Sequence, residues 1–353
     1  MVNIESNKLS SKKKKILYLD IIRIFACFFV IINHTNSKIF LGVGESKTWW
    51  LSLTYFFISK SAVPLFFMIS GITLLTKEDS YKKSFKRLFR VLIDLIVFSM
   101  LYYLNLCYKE ETFSLGGFFF RIYNDEITGS YWYLYLYLAI LIMMPLLQKF
   151  IKSLNKKDIL YYLFFTFLVC GSVPILNHYF PKTEYNKNFS LMIFNGYIGY
   201  MFLGYYIEKY IKINKKIFIS SIFIYIISIF VNVVATYFEK IKYGESYLFF
   251  DNRILINIAI PSVCFFIICK YIFENKIKFK ENTKKIILEI GTCTFGIYLL
   301  SDLLICSLTK IEDMLFNKMY CMLAVLIYEV VVFMTGLFIT FLLRKIPFIK
   351  KYI

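Results

Sequence analysis

One stretch of this chain carries most of the side chains able to do chemistry in an apolar setting: LDIIRIFACFFVIINH, ending at His34, with Asp20 and Arg23 toward its start. Ionisable residues inside an apolar run are costly to bury and mark function by default. Arg23 and His34 are eleven residues apart. At about 100° per residue this is within about 20° of three full turns, so both lie on one face of a helix. The rise separates them by about 16 Å, a guanidinium near one membrane face and an imidazole near the other. A cationic anchor and a titratable base set so would suit a long, thin donor with a phosphate-bearing head and a reactive tip, a form that acyl-coenzyme A has. Histidine is the usual general base, because its unperturbed pKa of about 6.5 lets it take a proton near neutral pH. The structural alternative pairs Arg23 with Asp20 one turn away and leaves His34 an interfacial residue.

The elements that must position these groups are membrane helices. Of 353 residues, 59% are hydrophobic and 18% charged, against about 45–50% and 25% in soluble domains. Apolar runs of about 20 residues recur, the length needed to cross a hydrocarbon core of about 30 Å. The pattern predicts an all-α integral membrane protein of about ten transmembrane helices, near 16–36, 49–76, 87–107, 131–151, 158–175, 191–210, 217–237, 254–273, 288–308 and 320–343. Pro64 and Gly71 predict a kink or break in the second. Residues 1–15 form a basic N-terminal segment, 16–343 the membrane domain and 344–353 a basic tail.

The net charge of +19 does not signal a nucleic-acid partner. The basic residues sit in short stretches between apolar runs, and lysine far outnumbers arginine, which fits point-charge topology signals. With the N-terminus cytoplasmic, 29 of the 42 Lys and Arg fall in inside segments and 11 in outside loops. Every inside segment exceeds every outside loop, so both termini are expected in the cytoplasm of a multi-pass cell-membrane protein. The outside loops, near 108–130, 176–190 and 238–253, are rich in Tyr, Phe and Asn, suited to an interfacial belt or to sugar stacking. The eight cysteines form no CxxC pair and read as small buried residues, with no metal expected. Glu329 and Asp94, both within predicted spans, are expected to pair with buried bases.

Further along, SAVPLFFMISGITLL holds Pro64, Ser70 and Gly71, and the basic run KKSFKRLFR follows it. SYWYLYLYLAILIMMPLL opens with Trp132 and closes on Pro145; NGYIGYMFLGYYI and TFGIYLL come later. In order and spacing, together with the Arg-x10-His helix, these resemble acyltransferase family 3 over nearly the whole chain. The resemblance implies a ten-helix enzyme that O-acylates surface glycans or lipid-linked sugars. It implies no permanently bound cofactor, with acyl-coenzyme A, acetyl-coenzyme A in the first instance, as co-substrate. Arg23 would hold the donor; Lys60, Lys86, Arg87 and Arg90 are the candidates for its phosphates, the alternatives being an acid partner for Lys60 and a topology role for the basic run. His34 would act as general base or transient acyl carrier. Many relatives have a histidine where this chain has Ser301, followed by Asp302, so Asp302 is expected to orient His34. Ser70, Trp132, Tyr298 and Ser301 are the expected acceptor contacts. The implied partners are the acyl donor, the glycan acceptor and the bilayer; a homo-oligomer stays open. Some relatives carry a further soluble domain; the stand-alone type is expected here, with direct acylation or hand-over to a separate partner. The rival function is a transporter or flippase of glycan precursors without acyl transfer.

Overall fold

In a hydrocarbon phase every backbone N–H and C=O must be satisfied within its own segment or by a closed sheet, and long apolar runs therefore become helices. The computed structural model describes residues 17–35, 37–110, 113–124, 127–180, 195–244 and 248–352, and these are helical with no strand among them. The basic segment 1–15, the start of the sixth expected span and most of the loop 176–190 lie outside the described residues. In chain order the helices are α1 (Leu17–Thr35), α2 (Ser37–Gly42), α3 (Lys47–Ser59), α4 (Ala62–Ser70), α5 (Tyr81–Glu110), α6 (Leu115–Asn124), α7 (Trp132–Ser153) and α8 (Lys156–Thr166). They continue as α9 (Val173–Tyr179), α10 (Gly196–Tyr210), α11 (Lys215–Tyr243), α12 (Ile256–Tyr271), α13 (Glu281–Ser307), α14 (Thr309–Lys318) and α15 (Cys321–Leu343). Among the described residues, nine helical segments are long and apolar enough to cross a membrane. Helix α10, at 15 residues, is too short to count by itself.

Several helices outrun the apolar windows that predicted them. Helix α5 begins at Tyr81, not 87, so its basic run is helical; α11 continues to Tyr243, past 237. Hydropathy marks where the hydrocarbon ends, whereas the backbone hydrogen bonds continue into the interface. For the same reason His178, expected in an outer loop, belongs to α9, and the loop expected at 108–130 contains α6.

The expected interruption of the second span is present, and its place follows from Pro64. Proline has no N–H to give the carbonyl four residues earlier, and the helix breaks between α3 and α4 at Lys60 and Ser61. Beyond it, Gly71–Leu75 winds as a π-helix. Here α4 and α10 meet backbone to backbone. A Cβ on Gly71 would lie 1.9 Å from the Met201 carbonyl oxygen, and one on Gly204 would lie 2.3 Å from that of Met68. Such small-residue contacts let helices approach where lipid is as apolar as any side chain. Helix α1 runs through the centre, packed against α13, α4, α15 and α3.

Candidate active site

The last turn of α1 is tied to three neighbours by three successive residues. Consecutive helical side chains diverge by about 100°, and each of these meets a different element. Asn33 Nδ2 donates to the Ser59 carbonyl at 2.9 Å, an acceptor at the α3–α4 break. Thr35 Oγ1 donates at 2.7 Å to Glu329 Oε1 on α15, whose other oxygen accepts from the Tyr55 hydroxyl at 2.7 Å. Glu329, expected to pair with a buried base, is instead satisfied by two hydroxyls. Asp94 is likewise buried without an ion pair among the described residues.

Between these two anchors, His34 faces α13. Its Nδ1 lies 3.3 Å from Asp302 Oδ1. The contact is electrostatic and long for a hydrogen bond, as catalytic pairs often are before substrate binds. Asp302 Oδ2 accepts from Thr128 Oγ1 at 2.5 Å and from the Ser130 N–H at 3.2 Å. These two donors fix the carboxylate and turn its second oxygen toward the imidazole. The short segment before α7 thus positions an acid on α13, and that acid positions a histidine on α1.

His34 opens on a recess lined also by Lys60, Trp132 and Tyr298. Arg23 lines a second recess, with Ser70 and Thr73. Phe66, Tyr133 and Tyr298 line both recesses. Three aromatic side chains therefore form the partition between the arginine space and the histidine space. Tyr298 is held there by its hydroxyl, which donates to the Ser130 carbonyl at 2.6 Å. Arg23 is ion-paired with Asp20. Asp20 fits because Gly291 on α13 has no side chain: a Cβ there would lie 2.8 Å from the Asp20 Cβ.

The other expected site residues fall in different places. Lys60 lines the histidine recess, not the arginine one; it is buried, ion-paired with Asp251, and 3.8 Å from the Phe56 ring centre. The Asp251 ion pair is the acid partner that the sequence offered as the alternative to a donor-phosphate contact for Lys60. Ser301 is fully buried and donates to the Tyr298 carbonyl at 2.8 Å, and neither recess includes it. Lys86, Arg87 and Arg90 line a separate cleft with Tyr352. Within it Arg87 pairs with Asp79 at 2.7 Å, and Arg90 donates twice to the Tyr352 carbonyl. Asp79 also pairs with Lys83 at 2.6 Å. Its burial alone would raise its pKa, but Lys83, Arg87 and Gln148 outweigh that and hold the carboxyl well below the usual carboxylate range. His178, the second histidine, is 2.8 Å from Glu239 Oε2 and stacked on Phe249, and lines neither recess.

Sequence reasoning passed over Asn33, Thr128, Ser130 and Arg253, the last of which also lines the histidine recess. Arg253 had a signal. It is one of only six arginines, and it stands in a loop where the charge bias disfavours cations.

Neither the curated proteins nor the solved structures yield a match. The family model described as an acyltransferase domain does match, over residues 16–345, from the start of α1 to just beyond α15. With that match covering nearly the whole chain, the protein belongs to acyltransferase family 3.

Proposed function

We propose that this protein is a ten-span membrane O-acyltransferase, both termini cytoplasmic, that moves an acetyl group from cytosolic acetyl-coenzyme A to a sugar hydroxyl. The acceptor is a surface or lipid-linked glycan met at the outer face of the cell membrane. The observation that carries this reading is the pair of adjoining recesses, one holding Arg23 and the other His34, with Phe66, Tyr133 and Tyr298 lining both. A donor entering at Arg23 would pass its thioester between those rings, which exclude water from the reacting carbon.

Arg23 would bind the donor through charge-assisted hydrogen bonds. With Nδ1 donating toward Asp302, the proton-accepting nitrogen of His34 is Nε2. It would take the proton of the acceptor hydroxyl as that oxygen attacks the thioester carbon. The carbon–sulfur bond then breaks, and the proton passes from the imidazolium to the departing thiolate, releasing coenzyme A. Asp302 stabilises the imidazolium in between. The neighbouring cationic cleft at Lys86, Arg87 and Arg90 would draw the nucleotide phosphates toward the Arg23 end.

The test supplies purified protein in nanodiscs with radiolabelled acetyl-coenzyme A and a membrane glycolipid extract. Label should reach glycan with wild type and not with folded Arg23→Ala or His34→Ala. Absence of coenzyme A release with any acyl donor would overturn the reading in favour of a flippase.

A further inference from the structure

One cation lining the histidine recess stands outside the ion pairs there. His34 faces Asp302, and Lys60 is ion-paired with Asp251. Arg253 lines the same recess and has no carboxylate partner among the described residues, and none of the side chains lining the recess is acidic. Its guanidinium instead lies over the Trp132 ring, 4.8 Å from the ring centre. Arginine stays protonated at any working pH, and an aromatic face engages its charge without using its five N–H donors.

The position is built rather than incidental. The fully buried Tyr200 donates its hydroxyl to the Arg253 carbonyl at 2.7 Å. Asn252 accepts from the Ile254 N–H at 3.1 Å, closing the turn that leads into α12. One short segment therefore delivers an acid to Lys60 and, two residues on, a cation with no ion-pair partner among the described residues. A half-buried guanidinium with its donors unspent is a site for an anionic oxygen group, which it can grip with paired hydrogen bonds.

We propose that Arg253 is the anion subsite for the acceptor: the molecule presenting its hydroxyl to His34 also carries a carboxylate, as in an acidic sugar, or a phosphate, and Arg253 binds that group. The link to the hydroxyl rests on the acyl-transfer reading, whereas the anion site stands on its own geometry. The acceptor would be chosen by its charge as well as by its hydroxyl.

The experiment follows thermal unfolding of the purified protein in nanodiscs with methyl glucuronide, glucose 1-phosphate or methyl glucoside. A ligand that binds only the folded state raises the unfolding temperature, by more the further its concentration exceeds its Kd. An anionic probe should raise it in wild type at concentrations where methyl glucoside does not. A response to glucuronide alone assigns a carboxylate, and to glucose 1-phosphate alone a phosphate. Arg253→Gln should weaken the anionic response at least tenfold, and Arg253→Lys should restore part of it. No wild-type response to either anion, an equal response to methyl glucoside, or an unchanged anionic affinity in Arg253→Gln would each overturn the proposal. With coenzyme A as a further probe, loss of its response in Arg253→Gln with glucuronide binding retained would also overturn it, because the guanidinium would then serve the donor. Wild type that binds the anion yet never consumes acetyl-coenzyme A would sink the acyl-transfer reading and leave this site standing.

Discussion

His34 and Asp302 meet at 3.3 Å across the α1–α13 contact, with the far oxygen of the carboxylate held by Thr128 and the Ser130 N–H. A carboxylate restrained on one oxygen and presented on the other sets both the tautomer and the orientation of an imidazole. Asp302→Asn should lower kcat about 10²–10³-fold, the scale of positioned acid–base catalysis, with little change in KM for the donor. His34→Ala should cost at least as much, and the double variant no more than His34→Ala alone, because the two act as a unit. Steady-state kinetics of coenzyme A release checks all three. Independent, multiplying losses would show that Asp302 acts elsewhere.

The aromatic partition makes a separate prediction. Phe66→Ala removes one of the three rings dividing the two recesses. Water should then reach the thioester, so acetyl-coenzyme A hydrolysis without acceptor rises several-fold while the yield of acylated glycan per coenzyme A released falls. Comparing coenzyme A release with label on glycan reads this ratio directly.

Gly291 leaves the space that Asp20 occupies beside Arg23. In Gly291→Ala the new methyl group meets the Asp20 side chain and must displace it, turning Arg23 from its present orientation. KM for acetyl-coenzyme A should rise about tenfold, with a smaller effect on KM for the acceptor. By contrast, Gly204→Ala drives a methyl group into the Met68 backbone. It should destabilise the α4–α10 contact by about 1–3 kcal/mol, the usual cost of overpacking, and appear as a lower unfolding temperature.

Asp79 gives a pH dependence of stability. Its carboxyl is held well below the usual range by Lys83, Arg87 and Gln148, against the opposing effect of burial. A depressed folded pKa stabilises the protein above the unfolded value of about 3.9, and that contribution is lost as pH falls toward the folded value. Asp79→Asn should therefore unfold at a lower temperature than wild type at neutral pH, and the gap should narrow steadily below about pH 4. A gap constant from pH 7 down to pH 3 would mean that the ion pairs contribute nothing.

Much of this protein was legible from local rules. Apolar runs long enough to cross a bilayer marked most of the spans, because a continuous apolar run in hydrocarbon satisfies its own backbone as a helix. The 3.6-residue period put Arg23 and His34 on one face, and each lines one of two adjoining recesses. Pro64 foretold the break that exposes the Ser59 carbonyl to Asn33. Hydropathy ran out at the helix ends, where polar residues stay helical, and so His178 and the basic start of α5 were placed in loops.

What only the tertiary structure decided is which side chains share a space. Hydropathy cannot distinguish a helix face turned to lipid from one turned to another helix, because both are apolar. Helix association here depends on shape and on scattered polar contacts between segments far apart in sequence. That is why Lys60 could be recognised as an intramembrane cation but not assigned to the His34 end, and why the loop residue Arg253 gave no sign that it lines the same recess. The approach of Asp302 to His34, the partition of Phe66, Tyr133 and Tyr298, and the guanidinium over Trp132 exist only once α1, α4, α7, α12 and α13 have packed together.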